Sequence, residues 1–216
     1  MELKVLYEDK DIIVVFKPAG ISSQSTTDFE EDMVSLIKKH IKASAPAGAN
    51  AGEPYVAVVH RLDKMVSGIM VYALTKDAAA GLSAQIQKGS IAKTYEATLL
   101  GVPKQNKGEY IDYLLKDEAA NISRVCGPKD KGAKEAKLKY KVIEKKYDGN
   151  RQTSKVEIEL ITGRHHQIRV QFASRGTPVL GDHKYGKADD GENQIQLMST
   201  SLAFVHPKTK KAMKFT

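Results

Sequence analysis

The sequence has no tryptophan, and only 6% of its 216 residues are aromatic. A stacking platform for single-stranded nucleic acid is therefore not obvious in it. It has one cysteine, Cys126, which excludes an internal disulfide and suits a reducing cytosol. No apolar run approaches the roughly 18 residues that span a bilayer. The opening MELKVLYEDKD holds no apolar core of a secretory signal. Several catalytic signatures are missing as well. There is no H-E-x-x-H pair and no cysteine cluster. His165 and His166 are adjacent, so on a helix they point about 100° apart and share no metal face. No metal site is expected. No G-x-S-x-G elbow of a serine hydrolase occurs. GDHKYGKA, Gly181 to Ala188, has the glycine and lysine spacing of a phosphate-binding loop. Its last position offers no hydroxyl for Mg²⁺, and the following DDGEN opens a helix poorly, so it reads as a surface turn.

What is present describes an ordinary folded protein with a basic surplus. The composition is 41% hydrophobic and 28% charged, which argues against disorder. The length fits one large domain or two small ones and can bury a sizeable core. The net charge of +8 suits a polyanionic partner, with nucleic acid the first candidate.

Along the chain, VLYEDKDIIVVFKPAG reads as two short strands closed by proline and glycine. TTDFEEDMVSLIKKHIK reads as an amphipathic helix, with Phe29, Met33, Leu36, Ile37 and Ile41 at helical spacing and Thr27 with Glu30 as a capping box. Ala43 to Pro54 is a loop. YVAVVH and GIMVYALT are strand-like and flank HRLDKMVS. KDAAAGLSAQIQKG reads as a helix ending at Gly89. IAKTYEATLLG alternates as a strand. AKLKYKVIEKKYDGNRQTSKVEIELIT reads as a hairpin about Asp148-Gly149-Asn150. RHHQIRVQFASRG is a short helix stopped by Gly176, and QIQLMSTSLAFVHP a last strand followed by a basic tail. No repeat and no dividing linker is visible. Strands outnumber helices and several are consecutive, which predicts an α+β domain around a mixed, mainly antiparallel sheet flanked by helices.

Two segments concentrate charge at the ends of apolar runs. In VVHRLDKMVSG, Arg61 and Asp63 follow an apolar pair, and if the strand extends through Asp63 both charges lie on one face. They are then either a surface ion pair, typically worth under about 1 kcal/mol, or part of a site. In LITGRHHQIR, Thr162 can cap the following helix, which puts Arg164 in the first turn. A cation there opposes the helix dipole, so it implies an external anionic partner. Alternatively, Arg164 simply precedes the helix.

These segments carry a resemblance. HRLDKMVSG resembles the H-R-L-D-x-x-T-S-G signature of the RluA-type pseudouridine synthases, within the wider RluA/RsuA group. DKDIIVVFKPAG, AKTYEATLLG, LITGRHHQIRVQFASRGTPVLGDHKYG and LMSTSLAFVHPKTKK resemble further segments of that family, in the family's order, from about Leu6 to Pro207.

The resemblance implies the pseudouridine synthase fold and an isomerase that converts uridine in RNA to pseudouridine without metal, nucleotide or other cofactor. Asp63 takes the position of the family's catalytic aspartate, Arg164 that of its cationic partner, and Tyr95 that of the tyrosine packed on the target base. Arg61 matches the residue that enters the RNA beside the flipped base. His60, Leu197 and Arg169 are further candidates for RNA contact, Leu197 as an apolar wall on the base. Val66, His165, Gln171 and Ser199 depart from the family pattern and put the surroundings of the site and the subfamily in doubt. The resemblance further implies one catalytic domain over residues 1–216 with no preceding S4-type RNA-binding domain, a monomer acting in the cytoplasm, and rRNA or tRNA stem-loops as substrate. A non-catalytic RNA-binding or ribosome-assembly protein on the same scaffold is the alternative, and an unrelated hydrolase using Asp63 as base a third.

Overall fold

A computed structural model describes residues 2–25, 30–45, 52–149, 151–186 and 191–216. The chain forms two compact units, Met1–Ile91 with Ser201–Thr216, and Ala92–Thr200.

In the first unit, β1 (Lys4–Glu8) pairs antiparallel with β2 (Ile12–Lys17), and β2 with β4 (Ser67–Ala73). The two-residue β3 (Ala57–Val58) also pairs with β4. Ile12, Ile13, Val14 and Val15 are all fully buried, so β2 is covered on both faces and reads as a continuous apolar run rather than an alternating one. Ile12 and Val14 join Ile69, Val71 and Ala73 in a cluster with Ala78 and Leu82 of α2 (Lys76–Gln87) and with Leu202 and Phe204. α2 is capped by Thr75, whose side chain accepts from Ala78 N, and ends before Gly89, which adopts φ +66°.

α1 (Met33–Ser44) starts later than the sequence pattern predicts. Its cap is Asp32, which accepts from Ser35 N at 2.7 Å while Ser35 Oγ accepts from Asp32 N at 3.0 Å. Glu30 lies ahead of the helix, and Thr27 and Phe29 fall outside the described residues. The loop expected from Ala43 begins only after Ser44, and its middle, residues 46–51, also lies outside them.

In the second unit, five strands pair antiparallel in the order β5-β9-β8-β6-β7: β5 (Ala92–Leu100), β6 (Lys107–Asp117), β7 (Ile122–Cys126), β8 (Lys134–Asp148) and β9 (Arg151–Leu160). The β8–β9 hairpin closes between the partners Asp148 and Arg151 through Gly149, at φ +54°; Asn150 is outside the described residues. One face of this sheet is apolar. It carries Tyr95, Ala97, Leu99, Val156, Ile158, Leu138 and Tyr140, and Phe172 of α3 (Gln167–Ala173) packs its ring 5.5 Å from that of Tyr140. The other face is charged and alternates in sign. Lys139 lies opposite Glu109 on one side and Glu159 on the other, and Lys137 is ion-paired with Glu109 at 3.1 Å. Lys146 is ion-paired with Glu144, and Lys141 lies opposite Glu157, so several lysines of β8 have carboxylate neighbours.

β10 (Leu197–Val205) is the expected last strand. Within the basic tail that follows, Ala212–Phe215 forms a further strand, β11, antiparallel to β10. Strands β6 and β7 have no counterpart in the sequence reading. With three helices beside mainly antiparallel strands, the chain has the α+β class its sequence predicts.

Candidate active site

Asp63 follows Leu62, which is buried, in a turn rather than a strand. β3 stops at Val58, so the alternation that would place Arg61 and Asp63 on one strand face does not operate. The turn is held from several sides. Ser23 Oγ donates to Leu62 O at 2.9 Å and accepts from Leu62 N at 3.1 Å. Val66 N donates to Asp63 O at 3.0 Å, and Gly20 N to Lys64 O at 2.9 Å. His60 Nε2 accepts from Val71 N at 3.1 Å, which fixes its proton on Nδ1. Arg61 is exposed, and Lys64 is ion-paired with Glu30.

The residue beneath this turn is Lys17, which the sequence reading passed over as part of the KPAG match. It is fully buried at the end of β2, and its ammonium donates to the carbonyls of Pro18 (2.9 Å), Ile21 (2.7 Å) and Lys64 (3.0 Å). Burial pushes Lys17 down to about 8, and the Asp63 carboxylate opposes that shift. A lysine ending the apolar run IIVVFK was the available signal, because a strand buried on both faces carries its last side chain inward.

In the second unit, Tyr95 is buried on β5, opposite Ile158 of β9. Arg164 does not lie in a helix. α3 begins at Gln167, after His166 at φ +53°, so the expected conflict between Arg164 and the helix dipole does not arise. Nor does Thr162 cap the helix. Its hydroxyl accepts from Lys137 N at 2.8 Å and donates to Gln167 Oε1 at 2.7 Å. Gln167, itself buried, also accepts from Arg164 N at 3.0 Å and donates to Lys137 O at 3.1 Å. One glutamine side chain thereby fastens the whole Thr162–Arg164 turn. Arg164 is exposed, with Nε donating to Glu135 O at 2.8 Å.

Arg169 is buried and held by Asp182 through two 2.8 Å hydrogen bonds. Asp182 Oδ1 also accepts from Lys184 N and Tyr185 N, so the GDHKYG segment is a turn built on that carboxylate, as its reading as a turn predicts; Ala188 is outside the described residues. Leu197 is buried at the start of β10. Among the departures from the family pattern, His165 stacks on His166 at 3.7 Å and its Nδ1 is 2.8 Å from Ser123 Oγ. Gln171 donates to Asp112 Oδ2 at 2.7 Å. Val66 and Ser199 are buried.

One further cluster, Asp9, Asp11 and His206, gathers possible ligand atoms within 4.8 Å of one another. The fold uses them. His206 Nδ1 accepts from Lys208 N and Thr209 N, leaving Nε2 to donate to Asp9 Oδ2 at 2.8 Å.

A family model described as RNA pseudouridylate synthase matches residues 11–174. The chain belongs to that family. It is an RNA pseudouridine synthase by class, an isomerase whose substrate is RNA. A Yersinia pestis relative named a dual-specificity RNA pseudouridine synthase RluA is 35% identical over 215 residues, covering 98% of this chain and 96% of the relative. A Zymomonas mobilis relative named ribosomal large subunit pseudouridine synthase D is 30% identical, covering 99% of this chain and 68% of the relative. A Bacillus subtilis relative named an uncharacterized RNA pseudouridine synthase is 34% identical, and this chain spans 66% of its length. The chain thus spans about two thirds of those two synthases. Human RNA pseudouridylate synthase domain containing 1 has the same fold, with a TM-score of 0.80 at 22% identity over 100% of this chain and 83% of that one. Among the described residues, no helix is long and apolar enough to cross a membrane.

Proposed function

We propose that this synthase isomerises uridine within a stem-loop of rRNA or tRNA, with Asp63 as the carboxylate that acts on the flipped nucleotide. The observation that carries this reading is the setting of Asp63. It is held in a turn fixed by Ser23 and backbone hydrogen bonds, beside a buried ammonium that three carbonyls hold in place. A carboxylate in such a place is preorganised and needs no reorganisation at the moment of reaction.

The bond from C1′ to N1 breaks, the base turns, the bond from C1′ to C5 forms, the proton on C5 leaves and N1 takes up a proton, so the product is an isomer of the substrate. Asp63 acts by adding to C6 of the base or to C1′ of the sugar, or by assisting a glycal intermediate. Tyr95 packs on the base and lies at hand for the C5 proton. Arg164 supplies the positive charge that pairs with Asp63. A stacked uridine must leave its helix, at a cost of a few kcal/mol, and exposed Arg61 fills the gap it leaves. His60 and Arg169 support this arrangement, His60 by bracing the Asp63 turn and Arg169 through Asp182. Leu197 forms an apolar wall for the base. The name of one relative, a ribosomal large subunit synthase, supports rRNA as a target, and that of another, a dual-specificity RNA synthase, supports more than one kind of site. The enzyme works as a monomeric catalytic domain in the cytoplasm.

Tritium release from [5-³H]uridine-labelled total rRNA and tRNA tests the proposal. The wild type should release tritium and Asp63→Asn should not. Equal release by the two proteins would remove Asp63 from its role.

A further inference from the structure

Lys93 is the one lysine on the buried face of β5. Strand alternation puts its side chain with Tyr95, Ala97 and Leu99. Its ammonium lies against the backbone of Gly163, where a Cβ would come 3.6 Å from Nζ. Gly163 directly precedes Arg164, in the turn that Gln167 fastens. Lys93 therefore reaches from the strand that carries Tyr95 to the turn that presents Arg164, within one compact unit.

Its electrostatic situation differs from that of Lys17. Lys17 satisfies its three protons with carbonyls and has Asp63 nearby. Burial alone pushes Lys93 down, with no carboxylate opposing it. Among the described residues, no hydrogen bond or ion pair engages its ammonium. A half-buried cation without a counter-charge costs folding free energy. It is a placement that only an external partner rewards.

The partner's chemistry follows from what is missing. A neutral carbonyl would take one proton and leave the charge unanswered, whereas a phosphodiester oxygen answers both. A compact ammonium on a flexible stem suits a single phosphate oxygen, where a guanidinium would favour a planar, two-oxygen grip. The geometry points to Lys93 as a positioning residue that takes a backbone phosphate of the RNA next to the target uridine. This rests on the proposed placement of that uridine against Tyr95.

The test measures tritium release from [5-³H]uridine-labelled total rRNA and tRNA over a range of KCl concentrations, with filter retention of the same RNA alongside. Lys93→Met should lower kcat/KM at low salt by on the order of tenfold, mainly through KM. Its slope of log affinity against log salt should be shallower by about 0.7–0.9. Lys93→Arg should keep the slope. Lys93→Met should also hold or raise Tm, because it removes an unanswered buried charge. An unchanged slope overturns the inference, and a lowered Tm with that unchanged slope marks Lys93 as structural. If the wild type releases no tritium, the proposed function fails, and the retention slopes still decide whether Lys93 meets phosphate. Failure of the wild type to retain RNA would overturn the inference as well.

Discussion

The buried ammonium of Lys17 lies beneath the turn that carries Asp63, and the two charges act on each other across 46 positions of sequence. Lys17 is tied to that turn directly, through its 3.0 Å hydrogen bond to Lys64 O. This relationship ties the candidate carboxylate to the ionisation of a lysine with a pKa of about 8. The ordinary lysine value is about 10.4. Between the two values the folded protein holds fewer protons than the unfolded chain, so this group's contribution to stability improves as pH rises through that window. Below about 8 the burial cost of the charge is felt in full. Over the same rise the positive charge beside Asp63 disappears. The expected result is a kcat/KM that falls above about pH 8 without loss of folded protein by circular dichroism. A profile flat to well above that pH would show that the Lys17 charge does not serve the reaction.

Asp182 is fully buried beneath Arg169 and answers its guanidinium with two oxygens. Removing one partner of such a pair leaves a buried charge alone, at a cost of about 3–5 kcal/mol. Asp182→Asn should lower stability by that order in urea unfolding. The double change Arg169→Met with Asp182→Leu should cost less than Asp182→Asn alone. Additive losses would show that the pair is not coupled.

Gln167 holds the Thr162–Arg164 turn through three side-chain hydrogen bonds, to Thr162, Arg164 and Lys137. A further one joins Lys137 N to the Thr162 hydroxyl. Gln167→Leu should cost about 1–3 kcal/mol, since it leaves buried donors and acceptors unmade. If the turn positions Arg164 for the reaction, kcat should fall further than the stability loss accounts for in a fully folded sample. Unaltered kcat would mean that Arg164 needs no such bracing.

Lys139 faces Glu109 and Glu159 across the charged face of the second unit, while Arg61 is exposed beside the Asp63 turn. A cation flanked by two cross-strand carboxylates gives RNA little. Lys139→Ala should leave RNA retention within about twofold, whereas Arg61→Ala should weaken it and flatten its salt dependence by about one unit of slope. The reverse ranking would move the RNA path to the β8 face.

Gly181 adopts φ +76°, and a Cβ there would come 2.1 Å from Gln194 O. Gly181→Ala combines left-handed backbone strain of about 1–2 kcal/mol with a clash against main chain that cannot rotate away. Its unfolding midpoint should drop by more than that of Gly89→Ala, where φ is also positive but nothing lies within 4 Å of the added carbon. Equal losses at the two positions would show that the close approach is absorbed.

The strands β1, β2, β4, β5 and β9 and the helix α2 were legible because burial imposes a period on the sequence, and HRLDKMVSG marked the Asp63 segment through residue order alone. Less was legible where side chains cap or brace. The start of α1 moved because Asp32 and Ser35 cap each other, a pairing that competes with several similar ones in TTDFEEDMVS. β11 was hidden in KKAMKF because its partner β10 supplies the strand's reason to form. β6 and β7 were missed because their exposed positions mix polar residues with the apolar Ile111 and Val125, which blurs the alternation, and pairing makes them strands, β6 with β8 and β7 with β6.

By itself the sequence determined the fold class, the family's motifs and the identity of the candidate carboxylate, since these rest on local periodicity and on the order of residues. The tertiary structure decided which charges are answered. It put Lys17 under the Asp63 turn, closed Arg169 onto Asp182, set Arg164 ahead of its helix and left Lys93 half-buried against Gly163. Burial and counter-charge depend on neighbours brought together by folding, and no spacing along the chain encodes them.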